Sequence, residues 1–129
     1  MTRINLIPPE ELYWKHLVAE YRELPRIFGL VRRADAKCFF PKMMRVPPKF
    51  TFGEGHEKFF YDKLTFLVRR QELLINEMHR RGYNTSFDTS SLSLNISLKW
   101  FNDWTPSNED IALSRSRINQ RLREMGVIL

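Results

Sequence analysis

A single cysteine, Cys38, occurs in 129 residues, so no internal disulfide can form, as expected of a chain kept in a reducing compartment. One Cys and three His also fall short of a structural zinc site or a four-cysteine iron–sulfur cluster. No metal and no cofactor are expected. No apolar run approaches the ~18–20 residues of a membrane span. Nor does the chain open on a basic segment, a short apolar stretch and a cleavage site. The expected setting is cytoplasmic, with no membrane partner. Repeats, linkers and low-complexity tails are missing too, and the length suits one core rather than two, so residues 1–129 read as a single domain. Without a secretory signal, Asn84-Thr85-Ser86 and Asn95-Ile96-Ser97 are chance matches to the glycosylation sequon.

What is present is positive charge and aromatic surface. The 21 Lys and Arg outnumber the 15 Asp and Glu, for a net charge of +6, and 13% of residues are aromatic. Basic charge attracts polyanions, and aromatic rings stack on unpaired bases.

Three helical segments stand out. In the first, Leu17, Tyr21, Leu24, Phe28 and Val31 recur at spacings of four and three and form one apolar stripe. At about 100° per residue, Arg22 and Arg26 fall near the opposite side, with His16 and Glu23 close together beside them. Pro25 removes a backbone donor and predicts a kink. Ahead of it, Pro8-Pro9-Glu10-Glu11 reads as a turn or short helix start, which leaves residues 2–7 as an extended arm. The second segment runs from about His56 to Arg81, with a stripe of Phe60, Leu64, Leu67, Leu74 and Met78 and a stop at Gly82. The third opens with Ser107-Asn-Glu-Asp110, a capping-box pattern. Ile111, Ser114, Ile118, Leu122 and Met125 line its inner side, and Arg117 and Arg121 sit one turn apart beside them. Residues 36–55 and 83–106 read as long irregular loops, with the alternating Ser91–Leu98 stretch extended or irregular for want of a partner strand. The expected fold is all-α: one compact domain of three main helices with long loops.

The N-terminus, Met1-Thr2-Arg3, carries the most chemical information. Initiator methionine is usually removed ahead of a small residue such as Thr2, which would leave a free α-amine there. With a reference pKa of ~7.7–8.0 against ~10.4 for lysine, roughly a quarter of such an amine is neutral at pH 7.4. It is a ready nucleophile for a sugar C1′. Every protein has an N-terminus, however, and by itself this one signals nothing.

The residues around it do signal something. Met1-Thr-Arg-Ile-Asn-Leu6, His16-Leu-Val-Ala-Glu-Tyr-Arg-Glu-Leu-Pro-Arg26 and Gly53-Glu-Gly-His-Glu-Lys-Phe-Phe-Tyr-Asp-Lys-Leu64 closely resemble the phage pyrimidine-dimer DNA glycosylase/AP lyase family, of the endonuclease V type. Ile111, Ala112, Ser114, Arg117 and Arg121 match it near the C-terminus without a net insertion. The resemblance implies a bifunctional repair enzyme acting on duplex DNA that carries pyrimidine dimers or AP sites; a monomer is expected. It implies that the Thr2 amine attacks C1′ and passes through an imine to β-elimination. It carries the catalytic carboxylate onto Glu23, which periodicity alone would read as a surface partner of Arg26. It places phosphate contacts on Arg3, Arg22, Arg26, Arg117 and Arg121, the last standing where the family type has lysine. His16 is a candidate for touching phosphate or positioning Glu23, or is an ordinary surface histidine. The family kinks the duplex and extrudes the adenine opposite the dimer, rather than the target base.

Two departures bear on lesion choice. The phage type ends in an aromatic and basic tail that helps recognise the dimer, whereas this chain stops at Met125-Gly-Val-Ile-Leu129. Residues 85–105 also differ, with Ser86 in place of a lysine and with Trp100 and Trp104 as substitute stacking groups or, for at least one of them, core residues. Weaker dimer discrimination than in longer relatives is expected. The rival reading is a non-enzymatic basic helical DNA-binding protein with a helix-turn-helix-like core, whose arginines only hold the backbone. Gly53-Glu-Gly-His56 reads as a tight turn into the second helix, and Cys38 as an incidental thiol.

Overall fold

The computed structural model describes residues 2–86 and 89–127. Met1, whose removal is expected above, and the C-terminal Ile128-Leu129 lie outside the described residues. Helices α1 (Trp14–Glu23), α2 (Pro25–Ala36), α3 (His56–Phe59), α4 (Leu64–Arg80) and α5 (Asn108–Glu124) are joined by loops with short 3-10 turns at Pro9–Glu11, Pro41–Met44 and Leu98–Trp100. No strand occurs among the described residues. The fold is all-helical, as expected.

The first predicted segment is α1 and α2 joined at Leu24. Pro25, with no N–H to donate, starts α2, while Leu24 N–H still bonds Glu20 O at 2.9 Å and Ile27 N–H bonds Leu24 O at 3.1 Å. The helix is interrupted at Leu24, whose φ −53 and ψ −43 stay helical. All five stripe residues, Leu17 to Val31, are buried. α1 packs against α4, whose stripe of Leu64, Leu67, Leu74 and Met78 is buried as well.

The second predicted segment is not one helix. It breaks between α3 and α4, because Phe59, Phe60 and Tyr61 are all buried. Three consecutive helical residues span about 200°, more than one face can bury, so the chain opens a turn. Lys63 then secures it, its Nζ donating to Phe59 O at 2.9 Å and lying 3.9 Å from the Phe59 ring centre.

The predicted helix ends hold. Gly82 follows α4 at φ +83 and Gly126 follows α5 at φ +76; Tyr83 N–H reaches Met78 O and Val127 N–H reaches Leu122 O, both at 2.9 Å, in the Schellman arrangement. At the other end of α5, Asp110 N–H donates to Ser107 Oγ at 3.1 Å and Ser107 N–H to Asp110 Oδ2 at 3.0 Å, a complete capping box. Met125 departs from expectation. It is the C-cap, one residue past the last turn, and is exposed rather than inward-facing.

The long loops are fixed by side chains. Residues 91–95 form turns, and their alternation lines no face, since Leu92 is buried while Leu94 is exposed. Arg32 on α2 donates to Leu92 O and Leu94 O, each at 2.8 Å. One turn on, Asp35 accepts from Ser97 N–H and from the Trp100 indole at 3.1 Å. Those donors, with Ser97 Oγ and Lys99, pull the Asp35 carboxyl down to about 2. Trp100 is fully buried. Trp104 packs edge-on to Phe59, ring centres 4.9 Å apart, and against Phe60 and Phe66. Both tryptophans are therefore engaged in packing, Trp100 completely and Trp104 in part.

Candidate active site

The N-terminal arm is bound the way an edge strand is, but by side chains. In an extended chain every second N–H points the same way. Here Thr2 N–H donates to Glu57 Oε2 at 2.9 Å, Ile4 N–H to His56 Nε2 at 2.9 Å and Leu6 N–H to Ser114 Oγ at 3.0 Å. Ile4, Leu6 and Ile7 are buried in the core, which fixes the register. Two of the three acceptors come from α3 and the third from α5, so helices far apart in sequence hold one arm.

His56 is the middle rung. It is buried, and its Nδ1 donates to Thr51 O at 2.7 Å, which leaves Nε2 as the acceptor for Ile4. This assigns the neutral Nδ1–H tautomer. Burial, together with the charge on Arg3, holds His56 below its ordinary pKa, against an upward pull from the Thr51 carbonyl. The Gly53–His56 turn that presents it is built as expected. Gly55 has φ +93, and a Cβ there would sit 3.2 Å from Pro47 Cγ.

Thr2 is completely buried. Its hydroxyl donates to the backbone carbonyl of Glu23 at 3.2 Å. The carboxylate within hydrogen-bond reach of the Thr2 nitrogen is Glu57, a residue the sequence reading did not single out. The Glu23 side chain instead lines an adjoining cavity of about 300 Å³, together with Arg3, Asn5, His16, Phe52, Arg117 and Arg121.

This cavity is cationic and incompletely satisfied. Arg3 is held below its ordinary pKa by burial and then by repulsion from Arg121 and Arg117, partly offset by Glu23. His16 is lowered by burial and then by Arg121 and Arg3. Its Nδ1 and the Nε of Arg117 are buried without a hydrogen-bond partner. Buried polar atoms are rarely left that way, and both residues line the cavity. Arg117 also lies over the Phe52 ring, 5.6 Å from its centre. The fold thus gathers Arg3, His16, Glu23, Arg117 and Arg121. It does not bring Arg22 and Arg26 into the cavity wall; both are exposed, on either side of the α1–α2 joint. Among the described residues no three His, Cys, Asp or Glu side chains are grouped to share a metal ion, and no helix is long and apolar enough to cross a membrane.

His56 and Glu57 were missed as site residues because their value depends on the arm. The available signal was an extended N-terminal segment with apolar residues at positions 4 and 6, which needs acceptors for its alternate N–H groups.

A model of the pyrimidine dimer DNA glycosylase family matches residues 1–91, and the chain belongs to that family. The matched region holds the arm, Glu23, His56 and Glu57. It stops ahead of α5, so Arg117 and Arg121 enter the site on geometry.

Proposed function

We propose that this pyrimidine dimer DNA glycosylase excises cyclobutane pyrimidine dimers and then cleaves the strand as an AP lyase, using the Thr2 α-amine released by loss of Met1. Family membership makes the chain an enzyme on damaged DNA, and the non-enzymatic alternative gives way to it. The observation that carries the finer reading is the setting of Thr2. It is fastened by hydroxyl and nitrogen, hydrogen-bonded to the backbone of Glu23, and one residue from Arg3 on a cationic cavity wall.

While Met1 is attached, the Thr2 nitrogen is an amide and is not nucleophilic. Removing Met1 makes it a primary amine and clears the side that the peptide bond occupied. The lone pair then forms a bond to C1′ as the glycosidic electron pair leaves with the base. The aminal opens by breaking C1′–O4′, with a proton delivered to O4′, and leaves a cationic imine. Loss of a C2′ proton then expels the 3′ phosphate. Glu23, on the wall of the same cavity, stabilises the cation and relays these protons. Arg3, Arg117 and Arg121 supply charge-assisted hydrogen bonds to flanking phosphates, and His16 Nδ1 supplies a further polar contact. Arg22 and Arg26 reach the backbone from the exposed joint.

Borohydride treatment of the mature chain with an AP-site duplex tests this. A covalent adduct mapped to the Thr2 amine is expected, and none should form on a chain that retains Met1. An adduct on a lysine, or full activity with a blocked terminus, would falsify the assignment.

A further inference from the structure

We infer that Glu57 is a second carboxylate of the reaction, which holds the Thr2 amine in line for attack and takes the proton that the nitrogen sheds. The inference rests on the Thr2 reading above. Its basis is geometric: Glu57 Oε2 lies 2.9 Å from the Thr2 nitrogen. Among the described residues, Glu57 has no ion pair and no hydrogen-bond donor besides Thr2. By contrast Glu20, the other carboxylate near the arm, is saturated by Arg70 and Asn5. A half-buried carboxylate turned to a single backbone nitrogen has no structural need that a neutral acceptor would not meet, since the next two rungs use a histidine and a serine.

Once Met1 is gone, that nitrogen carries two N–H bonds and a lone pair. An N–H held by Glu57 directs the lone pair away from α3. When the N–C1′ bond forms and the base departs with the glycosidic pair, the nitrogen becomes cationic and must lose a proton. Glu57 is already bonded to it and takes that proton. Glu23 is left free for the ring-opening and elimination protons. The two carboxylates thus act on different atoms: Glu57 on nitrogen, Glu23 on the sugar.

A carboxylate at this distance also favours the ammonium form of the amine, so it sets the pH at which the nucleophile becomes available. The other charged and titratable groups facing the arm are Arg3 itself, His16, Glu20 and Glu23 on α1, His56 on α3, Tyr61 just beyond it, Arg70 on α4, and Arg117 and Arg121 on α5. Of these, His56 and Tyr61 feel the Glu57 charge, which raises the pKa of both; Glu57→Asp keeps that charge and Glu57→Gln removes it.

The experiment compares Met1-free wild type, Glu57→Gln and Glu57→Asp in borohydride trapping on an AP-site duplex across pH 5.5–9, with Glu54→Gln, an exposed neighbour, as the control for charge alone. In Glu57→Gln the midpoint of the rising limb should move down by about one pH unit, and the plateau should fall by about 10-fold or more, since the proton acceptor is lost. Glu57→Asp keeps the charge and should keep the wild-type midpoint with a lower plateau. Glu54→Gln should match wild type in both. A Glu57→Gln profile that superimposes on wild type, with the adduct still on Thr2, overturns the role of Glu57 and leaves the nucleophile standing. No Thr2 adduct in wild type overturns the nucleophile itself. Should Glu57→Gln fail to fold, a midpoint in Glu57→Asp shifted like that expected for the glutamine would overturn the inference too.

Discussion

Glu20 and Glu23 lie about one turn apart on α1 and carry the same group, yet the fold treats them in opposite ways. Glu20 is 1% exposed, and both its oxygens are taken by Arg70, at 2.7 and 3.0 Å, with Asn5 Nδ2 adding a third bond at 2.9 Å. Arg70 in turn donates to Ile7 O at 2.7 Å. Every strong group in this tie is answered. Glu23 lines the same cavity as Glu20, but around it Arg3 is repelled by Arg117 and Arg121. Of these three, only Arg121 has a carboxylate partner among the described residues, Glu124 at 3.8 Å, and two buried polar atoms have no partner. A saturated pair holds elements together and leaves nothing for a ligand. An unsaturated cluster costs stability in the free protein and is repaid when an anion enters. The difference separates charge that is closed within the fold from charge that is left available, without reference to residue type.

The largest effect that would break this comparison is catalytic. Glu23→Gln removes charge and proton from the unsaturated side while keeping shape, so dimer excision should fall about 10²–10⁴-fold and binding should survive or tighten. Single-turnover excision beside a gel-shift titration reads both; near wild-type excision would demote Glu23 to a salt-bridge partner. On the saturated side, Arg70→Ala should cost about 3–5 kcal/mol in urea unfolding, because it strands a buried carboxylate. A loss below about 1 kcal/mol would mean that the tie is as weak as a surface pair. Arg117→Ala and Arg121→Ala should each flatten the slope of log K against log salt by about 0.9, one phosphate apiece. They should weaken damaged and undamaged duplex alike, and unchanged slopes would return both to surface charge. The smallest effect lies far from either side. Cys38 takes the left-handed conformation after α2, φ +62, in the position that Gly82 and Gly126 fill elsewhere. Cys38→Gly should therefore raise stability by about 1 kcal/mol without touching activity, and an unchanged or lowered Tm would show that the backbone there is unstrained.

How much of this was readable follows the range of the interaction. Stripes such as Leu17–Val31 and caps such as Ser107 and Gly82 are local, and they appeared where the pattern put them. The gap between α3 and α4 carries no proline or glycine; its cause is the burial of Phe59, Phe60 and Tyr61 together, a demand made by the rest of the core. The left-handed Cys38 was invisible for the same reason, since nothing in a cysteine announces positive φ. In the site, Arg3, His16, Glu23, Arg117 and Arg121 were named and do meet at one cavity. Arg22 and Arg26 were named beside them and stand outside its wall, because both lie on the side opposite the buried stripe Leu17–Val31 and are exposed.

By itself, then, the chain's sequence settled its helical class, its helix ends, its positive charge and, through the arm and the first helix, its family. Periodicity, capping and composition act over a few residues or sum over all of them, so folding is not needed to read them. Only the tertiary structure decided which charges are spent and which stay available. Glu20, Glu23 and Glu57 are indistinguishable as letters. What separates them is that Arg70 comes from 50 positions away to close on the first, that arginines of α5 gather near the second, and that the Thr2 nitrogen is laid 55 positions back against the third.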